Sequence, residues 1–99
     1  MSKKDRKTDV ERNVIFRLTV LLELYRHRSH ECPLIFIQTH MRVSLPHEFE
    51  DDALDAELNY LLDKKFIMFR YSDLGATKLF RITADGVDLI EQEYTKFLD

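Results

Sequence analysis

The sequence predicts one mainly helical domain that carries a small antiparallel β-hairpin (an α+β class). Three observations predict it. Glycine and proline occur twice each in 99 residues, too few for the turns of a many-stranded sandwich. Apolar residues recur at intervals of three and four through three long stretches, the helical period. One pair of short runs, rich in aromatic and β-branched residues, flanks Ser72-Asp73-Leu74-Gly75-Ala76 and reads as two strands joined by a turn. The length allows a single domain, and the 44% apolar content is enough for a core.

Ser2-Lys3-Lys4-Asp5-Arg6-Lys7 holds no apolar residue, so positions 1–8 are expected to be a disordered basic arm and 9–99 the folded domain. The first helix is expected over Val10 to His27. Val14, Leu18, Leu21, Leu22 and Tyr25 share one face, Thr8 or Asp9 can cap it, and Arg26 and Arg28 suit its negative end. A second stripe, Phe16, Val20 and Leu24, lies on a different side. A helix apolar on two sides is either buried on both or shared with a partner. His27 to Pro33 reads as a linker in which Pro33 pushes Cys32 toward an extended shape.

Leu34 to Arg42 reads as a short helix, with Leu34, Ile37 and Met41 in helical register, followed by a turn through Ser44, Pro46 and His47. Glu48 to Lys65 is the next helix. Its core stripe is Phe49, Leu54, Leu58, Leu61 and Leu62, its first turns are acidic, and Lys64 and Lys65 close it. Phe66 to Tyr71 and Lys78 to Ile82 are the hairpin strands. Thr83 caps a last helix, on which Val87, Ile90, Tyr94 and Phe97 form the apolar side.

The element order and two local phrases carry a family resemblance. Leu54-Asp55-Ala56-Glu57-Leu58-Asn59-Tyr60-Leu61-Leu62-Asp63-Lys64-Lys65-Phe66-Ile67 resembles the end of the third helix and the entry to the wing of winged helix-turn-helix domains. Arg81-Ile82-Thr83-Ala84-Asp85-Gly86-Val87-Asp88-Leu89-Ile90 resembles their exit from the wing into the last helix. The resemblance spans about residues 10–95 and is similar to small prokaryotic or phage winged-helix proteins of the PadR and MarR types. It departs at Lys65, where many members have glycine; a left-handed cap is costly for lysine, so an ordinary loop or a frayed end is expected there. The resemblance implies DNA binding and a transcription-regulator-like role, with the third helix in the major groove and the wing on the backbone.

The charge pattern resists that role for the third helix. Residues 1–30 hold eight Lys or Arg against four Asp or Glu, residues 31–65 hold three against eight, and residues 66–99 hold four against six. The formal total of −3 therefore hides a basic front and an acidic middle. The expected third helix offers Asp52, Asp55, Ala56, Asn59 and Asp63 on its outer side, of which only the Asn59 amide suits a base edge. Duplex affinity comes chiefly from Lys and Arg at phosphates. The expected nucleic-acid contacts are therefore Gln38, Thr39, His40, Arg42 and Ser44 from the second helix and its turn, Asn59 from the third, and Arg70, Tyr71, Lys78 and Arg81 from the wing. Arg70 and Lys78 lead, against the plain alternative that both pair with surface carboxylates.

A second reading, of a different class, is an acidic protein-interaction module whose Glu48–Asp63 side meets a basic partner. In either reading a homodimer is expected, through Phe16, Val20 and Leu24 and through Tyr94, Phe97 and Leu98.

Other chemistry is excluded by pattern. His27, His30, Cys32, His40 and His47 match no zinc-ligand spacing, and one cysteine builds no disulfide framework. No glycine-rich turn offers a phosphate cradle. No catalytic residue, metal or cofactor is expected. Without an apolar run of membrane length or an apolar leader, a cytoplasmic protein is expected.

Overall fold

A computed structural model of the chain describes the backbone of residues 3–98 and the side chains of residues 13–93. The elements run α1 (Lys3–Arg26), β1 (Cys32–Pro33), α2 (Leu34–Ser44), α3 (Asp51–Asp63), β2 (Ile67–Tyr71), β3 (Lys78–Ile82) and α4 (Ala84–Leu98). Three strands form an antiparallel sheet in the order β1-β3-β2. The mainly helical α+β class and the hairpin are as expected. Helix α1 includes positions 3–8, which the sequence suggests as an arm; their side chains lie outside those described.

Of the two apolar stripes of α1, the one expected at a partner is the more deeply buried, while the other reaches the core through Leu21 and, in part, Tyr25. Phe16, Val20 and Leu24, expected at a partner interface, are 6%, 0% and 1% exposed and belong to the core. Val14, from the expected core stripe, is exposed. Charged neighbours on the buried side explain why the second stripe suggests a partner. Arg17 and Glu23 flank the buried stripe and would suggest a solvent face, but each has a partner. The Arg17 Nε donates to a Glu57 carboxylate oxygen on α3 at 2.5 Å. The Glu23 carboxylate, only 5% exposed, has His27 Nε2 and His40 Nε2 at 3.1 Å, one on each oxygen. Buried charges are tolerated only when paired in this way.

Around that stripe pack Ile37 and Met41 from α2, Leu54, Leu58 and Leu61 from α3, Ile67, Phe80 and Ile82 from the hairpin, and Ile90 from α4. Each such aliphatic side chain contributes roughly 1.5–3 kcal/mol on burial.

Strand β1 is absent from the sequence reading because it is two residues long and half proline. An edge position tolerates the missing N–H, and Cys32 and Pro33 pair with Phe80 and Leu79 of β3. Burial pushes the Cys32 thiol pKa up, with the nearby Glu23 charge adding to it. Helix α3 begins at Asp51, three residues later than expected. The Leu45 carbonyl accepts from the amides of Glu48 and Phe49 and closes a separate turn first.

The end of α3 overturns the expected loop exit. Lys65 takes the left-handed conformation, φ 64°. Its amide donates to the Leu62 carbonyl, and the Phe66 amide donates to the Leu61 carbonyl, both at 3.0 Å. This is the paired-bond left-handed helix stop usually given to glycine. The strained turn is held from the other end of the wing. The Thr83 amide donates to the Phe66 carbonyl at 3.0 Å, and the Thr83 hydroxyl donates to the Lys65 carbonyl at 2.7 Å. The same hydroxyl accepts the Gly86 amide at 3.1 Å, capping α4. A Cβ on Gly86 would stand 2.2 Å from the Phe66 carbonyl oxygen, so only glycine fits.

Two opposite outcomes follow. Lys65→Gly should stabilise the fold by about 1 kcal/mol, the left-handed penalty of an L-residue less the extra chain freedom of glycine. Gly86→Ala should destabilise it by about 3 kcal/mol through overpacking against backbone. Urea unfolding midpoints at constant m-value test both; a destabilised Lys65→Gly variant would contradict the strain.

Candidate nucleic-acid interface

Of the ten expected contact residues, Arg70, Tyr71, Lys78 and Arg81 lie on the sheet and divide between its two faces, while the other six lie on α2 and α3. In β2 and β3, Tyr71 lies opposite Lys78 and Met68 opposite Arg81. Side chains alternate along a strand, so Tyr71 and Lys78 share the face turned toward the helices, while Arg70 and Arg81 share the outer face with Met68 and Leu79.

On the inner side, a groove of about 490 Å³ between α2, α3 and the wing is lined by Ile35, Gln38, Asp55, Tyr71 and Lys78 among others. A smaller adjoining cleft adds Asn59. Gln38, Asn59, Tyr71 and Lys78 are thus brought together, with the Asp55 carboxylate among them. The Lys78 ammonium lies 5.1 Å from the centre of the Phe69 ring and makes no ion pair among the described residues. The outer side of α3 is as acidic as its sequence implies. Asp52, Asp55, Asn59 and Asp63 are all exposed, and the helix spanning Asp51–Asp63 holds five carboxylates and no basic residue. Glu57 alone turns inward, to Arg17.

Several expected contacts are engaged elsewhere. His40 is held by Glu23, with the Ser44 hydroxyl 3.2 Å from its Nε2. The Thr39 hydroxyl donates to the Ile35 carbonyl at 2.9 Å, and Arg42 lies over the Phe49 ring, 4.0 Å from Asp51. Arg70, one of the two leading candidates, donates from Nε and Nη2 to the two oxygens of Glu31 at 2.7 and 2.8 Å. Its charge is therefore neutralised, and the plain alternative holds for it. Glu31 was missed because β1 was missed: the residue before Cys32 is carried alongside β3. The side chains of Tyr94, Phe97 and Leu98 lie outside those described.

On the outer side, Arg81 lines a cleft of about 450 Å³ with Arg28, Ser29, His30 and Glu31. Among the described residues, no three His, Cys, Asp or Glu side chains converge as a metal site, and no helix is long and apolar enough to cross a membrane.

No family model matches the chain, and no curated protein matches its sequence. Among solved structures it is similar to a crystal structure of a mutant of MepR from a multidrug-resistant clinical isolate of S. aureus, with 18% identity, 95% of this chain and 68% of that chain covered, and a TM-score of 0.64. MepR is a MarR-type winged-helix protein. Element order, sheet topology and this likeness define the class: the chain has a winged-helix fold. The likeness is one of fold, and the PadR type has no counterpart in it.

The Glu31–Arg70 pair has a pH signature. Hydrogen bonds from Arg70 hold the Glu31 carboxyl below its ordinary pKa, against a smaller opposing effect of desolvation. What the pair adds to stability is present above the ordinary carboxylate pKa and lost as pH falls through the lower folded-state value. Arg70→Gln should move the Glu31 titration midpoint upward in carboxyl NMR; an unmoved midpoint would contradict the pairing.

Proposed function

We propose that this is a DNA-binding, transcription-regulator-like protein that contacts the duplex through its wing and not through the outer side of α3. The observation that carries this reading is the placement of Lys78 and Arg81. They are the expected wing cations that form no salt bridge among the described residues, one on each face of β3. The likeness to MepR, a protein of a regulator family, supports the DNA reading at the level of the fold. The four exposed carboxylates of α3, Asp51, Asp52, Asp55 and Asp63, argue against its entry into a groove, since they would face phosphates. Lys78 serves as a phosphate contact, with Gln38 and the Tyr71 hydroxyl as polar neighbours in the same groove.

A protein-interaction reading has its own observation. Asp52, Asp55 and Asp63 are exposed and make no ion pair among the described residues, a surface suited to a basic partner.

A homodimer and a cytoplasmic setting complete the proposal. With Phe16, Val20 and Leu24 in the core, the apolar side that α1 leaves for a partner carries Val14 and Ile15, the latter 54% exposed. The last turns of α4, with Tyr94, Phe97 and Leu98, join it in this proposal.

Fluorescence anisotropy with a random duplex tests the DNA reading. At low salt, weak binding with a steep salt dependence is expected, and Lys78→Gln should reduce the slope of log Kobs against log salt by about one. No binding at low salt would overturn it in favour of the protein partner. For the dimer, Ile15→Glu should elute as a monomer in sizing chromatography; an unchanged elution volume would exclude this face of α1.

A further inference from the structure

The cleft on the outer face of the sheet was not foreseen from the sequence. It is built where the end of α1 meets β1 and β3, and its chemistry is uneven. Arg28 and Arg81 bring two guanidinium groups, Ser29 a hydroxyl and His30 an imidazole, against the single carboxylate of Glu31. That carboxylate is already taken by the two-point contact with Arg70. Neither Arg28 nor Arg81 makes a salt bridge among the described residues, and Arg81 shares only a longer-range attraction with the Glu31 carboxylate that Arg70 clamps, so the wall keeps a net positive charge.

Arg28 is also held in place. Its Nη1 donates to the Tyr25 carbonyl at 3.0 Å, and its guanidinium carbon lies 4.4 Å from the centre of the Tyr25 ring. Both contacts restrain the side chain without cancelling its charge. A planar guanidinium held in this way retains N–H groups in the fork geometry that fits phosphate oxygens.

We propose that this cleft is a phosphate-diester site that holds a duplex backbone beside the wing, with Arg28 and Arg81 as the phosphate contacts and Ser29 as an auxiliary donor. The inference rests on the DNA-binding reading above and deepens it. It adds Arg28, a residue outside the wing, to the duplex contact. A duplex backbone fits better than an isolated phosphate for two reasons. The cleft continues into a shallow hollow lined by Met68, Arg70 and Leu79 as well as Glu31 and Arg81, which gives it the extended form of a track. Arg81 also belongs to the strand that carries Lys78 but stands on its opposite face, so the cleft and the Lys78 contact reach separate phosphates of an extended duplex. The outer face of α3 lies on the other side of the sheet, where its carboxylates do not oppose this contact.

Salt titrations of duplex binding by the whole chain test the site. With a random duplex, Arg28→Gln should make the slope of log Kobs against log salt shallower by about one, and the Arg28→Gln/Arg81→Gln double variant by about two, since each phosphate contact contributes about 0.9. Arg28→Lys, which keeps the charge, should retain the slope. Thermal unfolding of each variant, expected to match the wild type because both side chains are exposed, separates lost contact from lost fold.

A wild-type slope in the double variant, with binding still weakened by Lys78→Gln, would overturn the cleft and leave the wing reading standing. No duplex binding by the wild-type chain at about 50 mM salt would overturn both. If inorganic phosphate shifts the Arg28 side-chain NMR signals while duplex slopes stay unchanged, the cleft takes a free phosphate and the duplex assignment fails. Retention of the wild-type chain by poly-glutamate, with no affinity for duplex, would likewise overturn it in favour of an acidic protein partner.

Discussion

Everything downstream of α3 depends on one backbone reversal. Lys65 and Phe66 turn the chain out of the helix, and Thr83 and Gly86 hold that turn from the far end of the wing. One threonine hydroxyl donates to the carbonyl of the strained residue and accepts the Gly86 amide in the first turn of α4. The start of β2 and the start of α4 are thereby fixed against each other with no core side chain involved. The hairpin between them can then be short, because its two ends are already tied. The close approach at Gly86 sets how tightly α4 can sit against this turn, and through Ile90 it sets how the last helix meets the core.

Much of this was legible in the sequence. The helical period placed four helices, the aromatic runs placed the hairpin, and Thr83 stood out as a cap. The illegible parts share a physical cause: each depends on a contact between residues far apart in the chain. A two-residue strand has no period to read, so β1 appeared only through its pairing with β3, and Glu31 with it. The buried side of α1 could not be chosen from its own residues, because the choice turns on whether Arg17 and Glu23 find partners on α3 and α2. At Lys65 a local preference misled, since the cost of the left-handed turn is offset by bonds from Thr83, eighteen residues away.

The candidate site follows the same pattern. The acidity of the outer side of α3 is a local property, and it survives folding unchanged. The state of each cation is not local. Arg70 and Lys78 look alike on adjacent strands, yet one is clamped between two carboxylate oxygens and the other rests over an aromatic ring with its charge intact. His40 looked available on a short polar helix and is instead part of the buried contact that joins α2 to α1. Reading charge from sequence gives the number of cations; the fold decides which of them a partner can reach.

The division of charge across the sheet has a consequence for encounter as well as for contact. Among the described residues, carboxylates crowd the outer side of α3 and the guanidinium groups of Arg28 and Arg81 stand on the sheet's outer face, so this part of the molecule carries a separation of charge. In the field of a polyanion such a body is turned as well as pulled: one side is driven away while the other is drawn in. Orientation is therefore selected during diffusion, before any surface touches. A modest net charge of −3 then does not measure how the protein meets a partner, because the torque depends on where the charges sit and not on their sum.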